Sequence, residues 1–166
     1  MMQTVSRRLV PVDGGETVDL GSLGARFLLD TAGSQGRVSI VEHWVPPRTL
    51  AAPLHRHSRE DEYSLVLKGR MGARVGERTL EANSGDFVLK PRNEWHTFWN
   101  PGDEECRLLE IISPGGFEEL FKEIALDPKA MAGDAAAALD AKYGLDVDYG
   151  SIERLCLEHR LAFPDH

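Results

Sequence analysis

His55-Arg56-His57-Ser58-Arg59-Glu60-Asp61-Glu62 is the stretch that decides how this chain folds. Side chains two apart in a β-strand point to the same face, so a strand through His55 and His57 presents two imidazoles together. Glu62 lies an odd number of residues beyond His57, and a regular strand would turn it to the opposite face. A bend between them lets all three converge, and Ser58-Arg59-Glu60-Asp61 is a polar break of that kind. Two imidazoles and a carboxylate are half of a metal site. A further imidazole, His96, follows Pro91 later in the chain.

The first stretch continues as His55-x-His57-x4-Glu62-x6-Gly69, and a second reads Gly85-x5-Pro91-x-Asn93-x2-His96-x3-Asn100. Separately spaced identities in two blocks arise by chance far less readily than one short motif. Together they resemble the two signature motifs of the cupin superfamily, over about residues 35–113. The resemblance implies a small β-barrel in which the first motif supplies two His and a Glu, and the second one His, to a divalent metal. The implied ligands are His55, His57, Glu62 and His96. Two departures stand out. Pro46-Pro47-Arg48-Thr49-Leu50 replaces the glycine that usually opens the first motif, and Asn93 replaces a glycine in the second. The Asn93 position is expected to need positive φ, which Asn adopts more readily than most residues.

Three neutral imidazoles and one carboxylate suit Fe, Mn, Ni, Co, Cu or Zn and form a poor cage for Ca or Mg. One divalent transition metal per barrel is therefore expected. Octahedral geometry would leave open positions, as catalytic sites require. Glu62 is then placed to accept a substrate proton. On the strand through His96, Phe98 and Asn100 share its face while Trp95, Thr97 and Trp99 point away, making Phe98 the substrate-pocket candidate and placing the tryptophans between barrel and tail. Ser64 and Val66 share the face of Glu62. His43 has no motif behind it and reads as a packed or hydrogen-bonded residue, and His159 and His166 carry no functional signal.

Around this site, short apolar runs separated by Gly, Pro, Asn and Asp mark strands at 18–20, 25–29, 38–45, 63–67, 72–75, 87–89, 95–99 and 107–112. Val75-Gly76-Glu77-Arg78 reads as a hairpin turn. These runs predict an antiparallel barrel or a double-sheet sandwich. With the resemblance, the expected fold is mainly β, a double-stranded β-helix or jelly-roll barrel over residues 1–113, followed by a helical tail over 114–166 packed on the barrel or on a partner subunit. In the tail, Phe117, Leu120, Phe121 and Ile124 recur at helical spacing, with Glu118 and Glu119 in the first turn. Asp127-Pro128 opens a second helical stretch, residues 135–143 stop at Gly144, and Ser151 is the expected cap of a last helix.

The 166 residues, 42% of them apolar, fill one core, and no internal repeat is present. A net charge of −8 opposes attraction to phosphate backbones, which argues against nucleic acid as a partner. Cys106 and Cys156 form no paired motif and fit a reducing compartment. The N-terminal segment with Arg7 and Arg8 lacks the apolar stretch of a signal peptide, and no run approaches a membrane span, so a cytoplasmic protein without membrane contact is expected.

The tail that follows the strands makes the chain similar to small bacterial cupins related to quercetin dioxygenase. That resemblance implies a metal-dependent dioxygenase acting on a small enolic, phenolic or carbonyl-bearing substrate, and a homodimer. The same ligands also suit an isomerase, decarboxylase or lyase in which the ion acts as a Lewis acid. A non-enzymatic small-molecule binding module is the reading from a different class.

Overall fold

The computed structural model describes residues 9–164, so Arg7, Arg8 and His166 lie outside it. Its strands are β1 (Glu16–Asp19), β2 (Gly24–Leu29), β3 (Ser39–Val45), β4 (Thr49–Leu50), β5 (Leu54–His57) and β6 (Asp61–Lys68). They continue with β7 (Arg70–Val75), β8 (Arg78–Asn83), β9 (Phe87–Lys90), β10 (His96–Asn100), β11 (Cys106–Ser113) and β12 (Leu145–Asp148). One antiparallel sheet runs β1-β2-β3-β11-β6-β9, and the other runs β12-β5-β10-β7-β8 with β4 also on β10.

The expected jelly-roll barrel is not formed. Hydrogen bonding stops at β1 and β9 in the first sheet and at β12 and β8 in the second, so neither sheet closes on itself. The fold is mixed β/α, two sheets with C-terminal helices. Proline, which lacks the N–H that a ladder needs, marks the ends of several strands along the chain. Pro46-Pro47 ends β3, Pro53 separates the short β4 from β5, Pro91 ends β9 and Pro114 ends β11.

In the first sheet β6 and β11 alternate regularly. Glu62, Ser64 and Val66 of β6 are buried, as are Leu108, Glu110 and Ile112 of β11, while their neighbours in sequence are more exposed. The β7–β8 hairpin turns at Gly76, with φ of 57°, and Asn93 has the expected positive φ, 63°.

The segment after β11 contains α2 (Glu119–Leu126), a 3-10 turn (Pro128–Met131), α3 (Gly133–Tyr143) and α4 (Ser151–His159), and among the described residues one short helix, α1 (Thr31–Ser34), precedes them. Leu120, Phe121 and Ile124 of α2, with Phe117, join the core formed by Val41, Val66 and Leu108. Glu118 is buried and accepts hydrogen bonds from Thr31 N, Gly116 N and the Ser39 hydroxyl, which ties the start of α2 to β3. α3 ends at Gly144 in the left-handed region, with φ of 66°.

This segment is not purely helical, since β12 adds to the edge of β5 with Leu145 opposite His57 and Val147 opposite His55. Nor is Ser151 the cap of α4. It is the first helical residue, and its hydroxyl donates to Asp148 O and accepts from Leu54 N, tethering α4 to β5. Trp99 packs with Leu50 and Leu155, and its ring stacks on His159 with centroids 4.2 Å apart. β10 is therefore buried on both faces. No helix among the described residues is long and apolar enough to cross a membrane.

Candidate metal centre

The bend at residues 58–60 sends β5 and β6 into different sheets, and this brings Glu62 back over the imidazoles. His55 of β5 sits directly opposite His96 of β10 in register, with ring centroids 4.5 Å apart. His57 lies one strand pleat away on the same face. One ligand atom from each of His55, His57, Glu62 and His96 falls within 4.8 Å of the others, and all four residues are buried. Glu62 Oε2 is 3.3 Å from His96 Nε2, and Oε1 is 3.5 Å from His57 Nε2.

Backbone carbonyls orient two of the rings. Pro53 O lies 2.7 Å from His55 Nδ1, and Glu94 O lies 3.0 Å from His96 Nδ1. A carbonyl only accepts, so each Nδ1 carries the proton and each Nε2 keeps a lone pair for the cluster. His57 has a carboxylate partner instead, with Nδ1 3.5 Å from Glu60 Oε2. His96 Nε2 and both ring nitrogens of His57 make no hydrogen bond although they are fully enclosed. Buried polar atoms are rarely left so. A nitrogen and oxygen donor set that converges around unpaired lone pairs fits a first-row transition ion.

Charge around the cluster is unequal. Burial pulls the His55 imidazole well below its ordinary value, helped by His96 and His57, and burial likewise lowers His96. His57 goes the other way. Burial opposes its charged form, but Glu62 and Glu60 hold it up to about 9. Glu62 also resists burial, because Lys90 and His57 keep its carboxyl well below the usual range.

Lys90 was not among the residues expected at the site. It is completely buried on β9, with Nζ 2.8 Å from Glu110 Oε1, 3.3 Å from Glu62 Oε2 and 4.8 Å from the centre of the Phe98 ring. Burial disfavours its ammonium, and Glu110 and Glu62 more than compensate. Ser64 donates to the far oxygen of Glu110 at 2.7 Å. Strand alternation carried a signal for both residues, since Lys90 shares the inner face with Val88, and Glu110 shares it with Leu108 and Ile112. Opposite charges at inward positions of two strands flanking β6 are a buried pair in waiting.

A cavity of about 100 Å³ opens beside the cluster, lined by His55, Glu62 and Phe98 and closed by Phe117 and Phe121 of the C-terminal segment. Phe117 also packs edge-on against His57, centroids 4.3 Å apart. His43 is outside the ligand cluster. It lines the same cavity, with Nδ1 2.9 Å from Gly24 O and its ring edge-on to Phe121.

Residues 42–112 match the family model of the cupin domain. Quercetin 2,3-dioxygenase of Aspergillus japonicus is 36% identical over 72 residues, 40% of this chain and 20% of that protein, so the chain spans about a fifth of that relative's length. Among solved structures, a sugar phosphate isomerase from a cupin superfamily of Silicibacter pomeroyi aligns with TM-score 0.56 at 15% identity, covering 63% of this chain and 74% of the other. An RmlC-like cupin of Shewanella frigidimarina gives 0.57 at 20% identity over 66% and 93%. A predicted oxalate decarboxylase of Thermotoga maritima gives 0.55 at 20% identity over 68% and 99%. At these identities the structures share the fold. Over residues 42–112 the chain is thus similar to the cupin domain, and it shares its fold with these distantly similar cupin structures.

Proposed function

We propose that this chain is a divalent-metal-dependent isomerase, decarboxylase or lyase that acts on a small carbonyl compound without consuming dioxygen. The observation that carries this reading is the cavity volume of about 100 Å³. Pockets for drug-sized ligands begin at roughly 300 Å³, and a flavonol is of that larger kind, whereas a compound of a few carbons is not. The names of the isomerase from Silicibacter pomeroyi and the predicted decarboxylase from Thermotoga maritima support the same direction.

In this reading His55, His57, Glu62 and His96 hold the ion. When bound, the ion supplies Lewis-acid polarisation of a substrate oxygen. Glu62 is the catalytic base, because it is the ionised carboxylate that belongs both to the ligand set and to the cavity wall. It takes a proton from the substrate and returns it, while Lys90 and Glu110 keep its carboxyl oriented from behind. Phe98, Phe117 and Phe121 exclude water from the exchange.

The test is turnover of the metal-loaded protein on small hydroxy ketones and keto acids, in air and under nitrogen. Equal rates in both, sustained when redox-inert zinc is the ion, are the expected result. A strict need for oxygen would instead favour the dioxygenase reading, which has the 36% identity to quercetin 2,3-dioxygenase on its side.

Metal uptake should also release protons in a definite number. His57, held up to about 9, carries a proton at neutral pH and must lose it to become a ligand, whereas His55, His96 and Glu62 are already deprotonated at their ligating atoms. Uptake at pH 7.5 in weak buffer should therefore release about one proton per chain, and affinity should rise about tenfold per pH unit until pH approaches 9. Potentiometric titration that found no release would show that His57 is neutral before the ion binds.

A further inference from the structure

We infer that the substrate is an uncharged hydroxy compound whose O–H donates to His43 Nε2, and not a phosphate or carboxylate anion. The inference rests on the cavity beside Glu62 being the substrate site, as proposed above, and it narrows the reaction to the isomerase or lyase of that proposal, because a decarboxylase needs a carboxylate substrate. It comes from counting which hydrogen-bonding groups on the wall remain available.

The side-chain donors of the wall are already committed inside the protein. Ser22 donates to Ala51 O at 3.0 Å, and Tyr149 donates its phenolic proton to Asp140 Oδ2 at 3.0 Å. His55 Nδ1 is held by Pro53 O. His43 is bound to Gly24 O, and since that carbonyl only accepts, the ring proton sits on Nδ1 and Nε2 is left as an acceptor. Burial keeps this imidazole neutral by lowering its pKa to about 4. Glu62 offers carboxylate oxygens, whereas those of Glu110 are held by Lys90 and Ser64. What remains on the wall is a set of acceptors, and acceptors call for a ligand that donates.

Charge leads to the same class. Among the described residues, no lysine or arginine lines the cavity. Lys90 lies behind Glu62 and Glu110 and is engaged by both. An anionic substrate would find no lysine or arginine on this wall to pair with, and a buried unpaired charge is strongly disfavoured. The remaining wall, Phe98, Phe117 and Phe121 with Leu20 and Leu23, accepts an apolar portion of a neutral molecule.

The probes are hydroxyacetone, its near-isostere butan-2-one, which replaces the hydroxyl by a methyl group, and pyruvate. Each is titrated into the full-length zinc-loaded protein, with binding read from histidine ring ¹⁵N resonances. Hydroxyacetone should bind more tightly than the other two and move the His43 Nε2 resonance. In His43→Asn the amide can keep the bond to Gly24 but loses the cavity acceptor. The preference for hydroxyacetone over butan-2-one should then fall about tenfold, equivalent to about 1.4 kcal/mol, with zinc content unchanged. Pyruvate binding as tightly as hydroxyacetone, or an unmoved His43 resonance in the wild-type protein, would overturn the inference even if the variant failed to fold. Binding is read here without turnover, so a protein that binds hydroxyacetone as described but converts nothing refutes only the proposed reaction.

Discussion

Replacing His57 by alanine is expected to empty the metal centre. Protein loaded with zinc and then dialysed should fall from one ion per chain to nearly none, with affinity reduced by at least about 100-fold, because loss of even an outer partner of a metal ligand costs 10- to 100-fold. The effect is large because His57 lies against both carboxylates of the site, with Glu62 on its Nε2 side and Glu60 on its Nδ1 side. The sheets do not depend on this ring. Their core is built from residues such as Val41, Val66, Met71 and Leu108, so the far-ultraviolet circular dichroism should be retained. Elemental analysis decides the matter, and full occupancy in His57→Ala would remove this residue from the ligand set.

Lys90→Met is expected to be the most destabilising single change near the site. Methionine approximates the lysine stem but removes the ammonium that Glu62 and Glu110 share in a space sealed from water. Breaking a buried pair from one side leaves an uncompensated charge and costs about 3–5 kcal/mol, a large part of a domain's net stability. The double variant Lys90→Met with Glu110→Leu should recover most of that loss, because Glu62 still has His57 and the ion, whereas Glu110 alone has only Ser64. Urea unfolding of the metal-loaded proteins measures both. A loss below about 1 kcal/mol for Lys90→Met would mean that this network does not carry charge in the folded protein.

These two residues also differ in how readable they were. His57 stands out because its spacing to His55 and Glu62 is local, and the geometry of a strand and a bend converts that spacing directly into proximity. Lys90 and Glu110 are twenty residues apart on strands that do not touch each other, and they meet only because β6 lies between β9 and β11. Their inward orientation was available from alternation, but their partnership required the strand order.

What the amino-acid sequence determined by itself was whatever depends on a few consecutive residues. Positive φ at Asn93, the turn at Gly76, the apolar face of α2 and the stop at Gly144 all follow from local sterics and periodicity. The tertiary structure alone decided how the strands were shared out. β8 has only one buried residue and so no apolar run to mark it, yet it is held by pairing with β7. β12 is a strand because it meets the free edge of β5, and Ser151 serves that junction and not its own helix. The sheets stayed open for the same reason. Closure is a property of hydrogen bonds between strands distant in sequence, and which strands end as unpaired edges is known only from their neighbours in space.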